Sequence, residues 1–249
     1  MATGDLIQAI RDEAAGLADA AGHGLDAPVP RYSGWTLADL VCHTGDIHRW
    51  VTGMIEERAT DRVPRAALGS QVDPTALTTW FAEGARRLAD VLEVTEPHIP
   101  VWTMTDERTV GFWRTRMAHE TSIHRWDAQS AHGVAKPIAS WLARSGIAES
   151  MMRHLPGAGT EIGGSGERLR LRCLDEPGEW TITLLPTELR VEDGPGPRAV
   201  EATVAANASD LWLLLGGRSF GAQLRVSGDR SILERFEAAL QLATVPQLP

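Results

Sequence analysis

Cysteine is almost missing from this chain of 249 residues: Cys42 and Cys173 are the only two, and they lie far apart. No disulfide framework, four-cysteine zinc site or Cys-x-x-Cys redox pair can be assembled from them. Such scarcity fits a reducing compartment, so a cytoplasmic location is expected. Lysine is scarce too, the arginines are scattered with Arg86 and Arg87 as the one adjacent basic pair, and the net charge is −9. Phosphate backbones are bound by a concentrated basic footprint, so nucleic acid is not an expected partner. No run of about 18 apolar residues occurs, so no membrane span is expected. The N-terminal segment lacks the basic stretch and apolar block of a signal peptide. The glycine-rich GGSGE stretch is not followed by the Lys-Ser/Thr of a phosphate-binding loop, and there is no serine nucleophile elbow.

What is present is the composition of a soluble globular protein, 43% hydrophobic and 23% charged, long enough for one large domain or two ordinary ones. The first part reads as helices. Leu6, Ile10, Ala14 and Leu17 recur at helical spacing, and Gly22 and Gly24 end that run. Ser33 or Thr36 can cap a second helix through Leu37, Leu40, Val41, Ile47, Trp50 and Val51. Asp73 and Pro74 open a third helix through Leu77, Phe81, Leu88 and Leu92. A fourth helix is predicted from about Val110 to His132, stopped by Gly133, and a fifth from Pro137 to Leu155. After Pro156 a glycine-rich joint follows and the period becomes two: Leu169, Leu171 and Cys173, then Trp180, Ile182 and Leu184, then Leu189 and Val191, then Val200, Ala202 and Val204. These are expected to be half-buried strands of an antiparallel sheet. The expected fold is therefore α plus α+β: a helical bundle over 1–156 and a smaller α+β domain over 157–249.

Three residues stand out chemically. In AHETSIHRWDA of the fourth helix, Glu120 and His124 are four apart and share a face with mostly apolar neighbours. An acid and an imidazole that point inward need each other or a cation. On the second helix, His43 lies between Leu40 and Ile47 on the buried stripe. Helical bundles build metal sites from inward side chains on facing helices, and two histidines with one carboxylate leave a coordination position open. His43, Glu120 and His124 are thus candidate ligands of one divalent ion. The plainer alternative is a solvated Glu–His pair at i,i+4. His48 lies about 140° around the helix from His43 and is expected to face elsewhere; Cys42 and Cys173 are expected to be small core residues. Arg218 follows the apolar LWLLLGG run, so it either caps that helix or reaches a substrate carboxylate.

The stretches SGWTLADLVCHTGDIHRW and AHETSIHRWDA, with the C-terminal half ending VSGDRSILERFEAAL, resemble the mycothiol-dependent maleylpyruvate isomerase family. The resemblance implies a DinB-like N-terminal metal-binding bundle and a sterol-carrier-like C-terminal domain. It implies zinc held by His43, Glu120 and His124, and mycothiol, a low-molecular-weight thiol, as cosubstrate. It also implies cis-to-trans isomerisation of a small anionic unsaturated acid, with Arg218 as the candidate for its carboxylate. Related members point to two alternatives, a mycothiol S-transferase acting on an electrophile and a non-catalytic metal-binding protein. The expected partners are small molecules, with the chain a monomer or homodimer, and the active cleft is expected between the two domains, with Arg218 directed into it.

Overall fold

The computed structural model describes residues 3–155, 162–194, 196, 199–218 and 221–243. Its chain divides into two compact units, residues 1–136 and 137–249. The first holds four helices: α1 (Thr3–Gly22), α2 (Leu37–Glu56), α3 (Leu77–Val94) and α4 (Val110–Ala131). Of the two candidate caps for α2, Thr36 is used. Its side chain accepts from the Asp39 backbone while Asp39 answers to the Thr36 backbone, closing a capping box. Asp73 caps a short 3-10 turn, Pro74–Ala76, that leads into α3. At the end of α4, Gly133 takes φ of 70°, the left-handed conformation that halts a helix.

The helices form because their apolar residues recur on one face and find partners. α1 packs on α3 and α4, and α2 packs on the same two helices. Leu17, Leu37, Leu40, Val41, Leu77 and Phe81 meet in one buried cluster. Helix α4 departs from this pattern: besides Phe112, Trp113 and Met117 it buries Arg114, His119, Glu120, His124, Arg125 and Asp127. A buried row of charge cannot be explained by apolar packing and must be offset by polar partners or a bound ion.

In the second unit, α5 (Ser140–Glu149) comes first, continued by a π-helical turn over Ser150–His154. Then follow β1 (Glu167–Cys173), β2 (Glu179–Leu184), β3 (Leu189–Asp193), β4 (Ala202–Ala206), α6 (Ala208–Leu215), β5 (Arg225–Gly228) and α7 (Arg230–Ala243). The five strands lie in the order β3-β2-β1-β4-β5. The sheet is mixed, not antiparallel as expected: β1 and β4 run parallel, with Leu171 opposite Val204, while the other three pairings are antiparallel. Alternating apolar residues report burial of one face and carry no information on which strand is the neighbour or in which direction it runs. Helices α6 and α7 pack on β1 and β4 and on each other.

The division at 136/137 falls ahead of the expected 156/157. Helix α5 belongs to the second unit because it packs on α6, where Gly146 leaves room for the Trp212 indole. Residues 156–161, which include the start of the glycine-rich joint, lie outside the described residues.

Candidate metal centre

Helix α2 delivers His43 and helix α4 delivers Glu120 and His124. One ligand atom from each lies within 4.8 Å of the others. Glu120 Oε1 is 2.9 Å from His124 Nε2 and 3.8 Å from His43 Nε2. The two imidazole rings stand edge to face, 5.3 Å between centroids and 89° between planes. Glu120 and His124 are buried and His43 keeps 14% of its side chain exposed, so the cluster meets its surroundings beside His43. A solvated i,i+4 pair is excluded by this burial.

Charge organises the cluster. His124 Nδ1 lies 3.1 Å from Asp127 Oδ2, so its ring sits between two carboxylates, and donation to both requires a proton on each nitrogen. Burial opposes that charge, but Glu120, Tyr32 and Asp127 outweigh it and lift the His124 pKa to about 10. For Glu120, burial works to raise the pKa. The Arg116 guanidinium, bonded to Oε2, and His124 override it and hold the carboxyl well below the usual range. His43 goes the other way: burial pushes its pKa down, and the Glu120 hydrogen bond only partly compensates. A carboxylate and two imidazoles turned toward one point form a donor set suited to a divalent ion such as zinc. For a cation to fit, His124 Nε2 must give up its proton while Asp127 retains Nδ1–H.

The walls are aromatic. Trp35 stands edge-on to His43 at 5.2 Å, Tyr32 stacks on Trp35 at 4.7 Å, and Tyr32 lies 6.2 Å from the His124 ring. Both come from the turn before α2, which the Thr36 capping box holds in place.

Several other polar residues have structural occupations. His48 is buried against Phe81 and bonded to the Thr121 hydroxyl at 2.9 Å. His132, at the end of α4, reaches the Ala20 carbonyl. Arg125 is paired with Glu13 at 2.5 Å and donates to the Lys136 carbonyl, tying α4 to α1. Arg49 stacks on Trp80 at 3.7 Å and donates to its carbonyl. Cys42 is half-buried and Cys173 buried, and burial raises both thiol pKa values, as for small core residues. Arg218 lies in the second unit, buried, with Nη1 on the Gly216 carbonyl at 2.6 Å. Sequence reasoning missed Asp127 and the pairing of Arg116 with Glu120. Both were within reach, because Arg116, Glu120, His124 and Asp127 are spaced 4, 4 and 3 along one helix face.

Residues 4–129 match the family model described as the mycothiol maleylpyruvate isomerase N-terminal domain, which spans half of the chain. The chain belongs to the mycothiol-dependent maleylpyruvate isomerase family. Among solved structures it is similar to the mycothiol-dependent maleylpyruvate isomerase, at 18% identity and a TM-score of 0.65, covering 92% of this chain and 95% of that one. A histidine-to-alanine mutant of the same isomerase superimposes with a TM-score of 0.64, again at 18% identity and with the same coverage of both chains. At this identity the likeness establishes a shared fold for the isomerase-family chain. No curated protein matches it by sequence.

Proposed function

We propose that this family member is a zinc-dependent enzyme that uses mycothiol to isomerise a small anionic cis-alkene of the maleylpyruvate type. The observation that carries the reading is the convergence of His43, Glu120 and His124 within 4.8 Å on two helices, in a chain of this family. Zinc bound there would act as a Lewis acid that lowers the pKa of a coordinated thiol, making thiolate available at neutral pH.

The chain's own residues prepare that chemistry. His43 and His124 offer Nε2 and Glu120 offers Oε1. Asp127 accepts from Nδ1 of His124 and so fixes which ring nitrogen faces the site. Arg116 binds the second oxygen of Glu120 and holds the carboxylate in one orientation. Tyr32 and Trp35 shield one side from water. The thiolate then adds to the alkene carbon conjugated with a carbonyl, and the alkene electron pair moves to the carbonyl oxygen as an enolate. The former double bond, now single, rotates. Collapse of the enolate restores the double bond in the trans form and expels the thiolate, so the thiol is regenerated and no redox equivalent is used. Arg218 is proposed to hold a substrate carboxylate through a charge-assisted pair. If so, Arg218→Ala raises KM or lowers kcat for an anionic substrate at unchanged metal content, and unaltered kinetics remove it from the site.

The test is metal analysis of the purified protein followed by turnover assays with mycothiol, maleylpyruvate and a panel of electrophiles. Catalytic use of the thiol with trans product supports isomerisation. Stoichiometric loss of thiol to an adduct makes the protein a mycothiol S-transferase. A preparation that takes up no divalent ion and turns nothing over overturns the reading in favour of a non-enzymatic role.

A further inference from the structure

The segment that joins α2 to α3 is strapped to α2 at two points. The Val63 carbonyl accepts from the Trp50 indole at 2.7 Å. Further on, the Gly69 backbone donates to Asp46 Oδ1 at 2.8 Å. Gly69 sits so close to α2 that a Cβ there would lie 2.7 Å from the Cys42 Cα. Cys42 precedes His43, and Asp46 is one helical turn beyond it. Both anchors therefore lie on the helix that carries the first metal-ligand candidate, and Arg65 is held between them.

Arg65 differs from the other arginines that this unit draws inward. Arg49 is spent on the Trp80 ring and carbonyl, Arg114 on the Leu92 and Thr95 carbonyls, and Arg125 on Glu13, Gln129 and Lys136. Arg116 is bonded to Glu120. Arg65, half-exposed as a residue, has its Nη1 buried without a hydrogen-bond partner. A buried guanidinium nitrogen is seldom left unsatisfied in a folded protein, and a water, an ion or a ligand completes it. The guanidinium fork is matched to carboxylate geometry.

We propose that Arg65 is an anion-recognition residue of the metal centre, pairing through its buried Nη1 with a carboxylate of a small acid seated beside His43. The inference rests on the reading of this centre as a substrate site. It places one carboxylate contact on the same unit as the metal-ligand candidates, independently of Arg218.

The experiment is calorimetric titration of maleate into the purified wild-type protein and into the Arg65→Ala, Arg65→Lys and Arg62→Ala variants, with metal content and thermal melting recorded for each. Arg62 lies in the same segment but is exposed, so it controls for net charge. Loss of one charge-assisted pair weakens binding about tenfold or more. The expected order is therefore wild type and Arg62→Ala together, Arg65→Lys weaker because a point charge replaces a fork, and Arg65→Ala weakest. The inference is overturned if Arg65→Ala binds maleate as tightly as wild type, if Arg62→Ala loses as much, or if the wild type binds no maleate. Repeating the titration after chelation separates the two ideas. A protein without metal sinks the proposed function, yet a persisting difference between wild type and Arg65→Ala still assigns the anion to Arg65.

Discussion

The two units of the molecule bury different things. Among the described residues, the helical unit buries Asp46, His48, Arg114, His119, Glu120, His124, Arg125 and Asp127, whereas the second unit buries only Thr181, Ser209 and Arg218 of polar or charged type. Leu169, Leu171, Ile182 and Val204 line an ordinary apolar sheet core there. Taking charge out of water is costly, and partial pairing does not turn it into a source of stability. In the helical unit part of that charge is tied into structural pairs, as Arg125 is with Glu13, and the part gathered on Glu120, His124 and Asp127 faces the candidate metal centre.

That contrast can be broken or sharpened experimentally. The largest effect is expected from His43→Ala. The residue is a partly exposed candidate ligand on the well-capped α2, so the variant should fold and melt close to wild type while bound metal falls from about one ion per chain to near zero. Metal retained at the wild-type level would remove His43 from the centre. Next comes Asp127→Asn, which keeps size but takes the carboxylate from His124 Nδ1. A loss of about 10- to 100-fold in metal affinity, read by competition with a chelator, is expected. An unchanged affinity would reduce Asp127 to a packing role. The smallest effect on the centre belongs to Gly146→Ala in α5. A methyl group there collides with the Trp212 indole, so denaturant unfolding should show a loss of about 1–3 kcal/mol. Metal content should not move, and if it did, the separation of roles between the units would fail.

Much of the helical unit was legible along the chain because its signals are local. Thr36 with Asp39, Asp73 with Pro74, and Gly133 mark helix ends through neighbours no more than a few residues away. The metal-ligand candidates were legible for the same reason: Glu120 and His124 are one turn apart and His43 is flanked by Leu40 and Ile47. Asp127 obeys the same arithmetic, three residues beyond His124 on the same face. What could not be read depends on distant partners. The parallel pairing of β1 with β4 is set by which edge the chain returns to after β3. The assignment of α5 to the second unit depends on Trp212, far along the chain. The placement of Arg65 beside α2 is a product of Trp50 and Asp46 holding its neighbours, which no pattern within RVPRAAL announces.

Trp35 has a use beyond shielding. Its indole lies edge-on to His43 at 5.2 Å, near enough for an open-shell ion such as cobalt to quench its emission on binding. The chain thus contains an optical reporter, and occupancy can be followed in real time without an attached dye. Trp35→Phe keeps an aromatic edge in place, so the signal lost in that variant is the share that belongs to the centre and not to the other eight tryptophans.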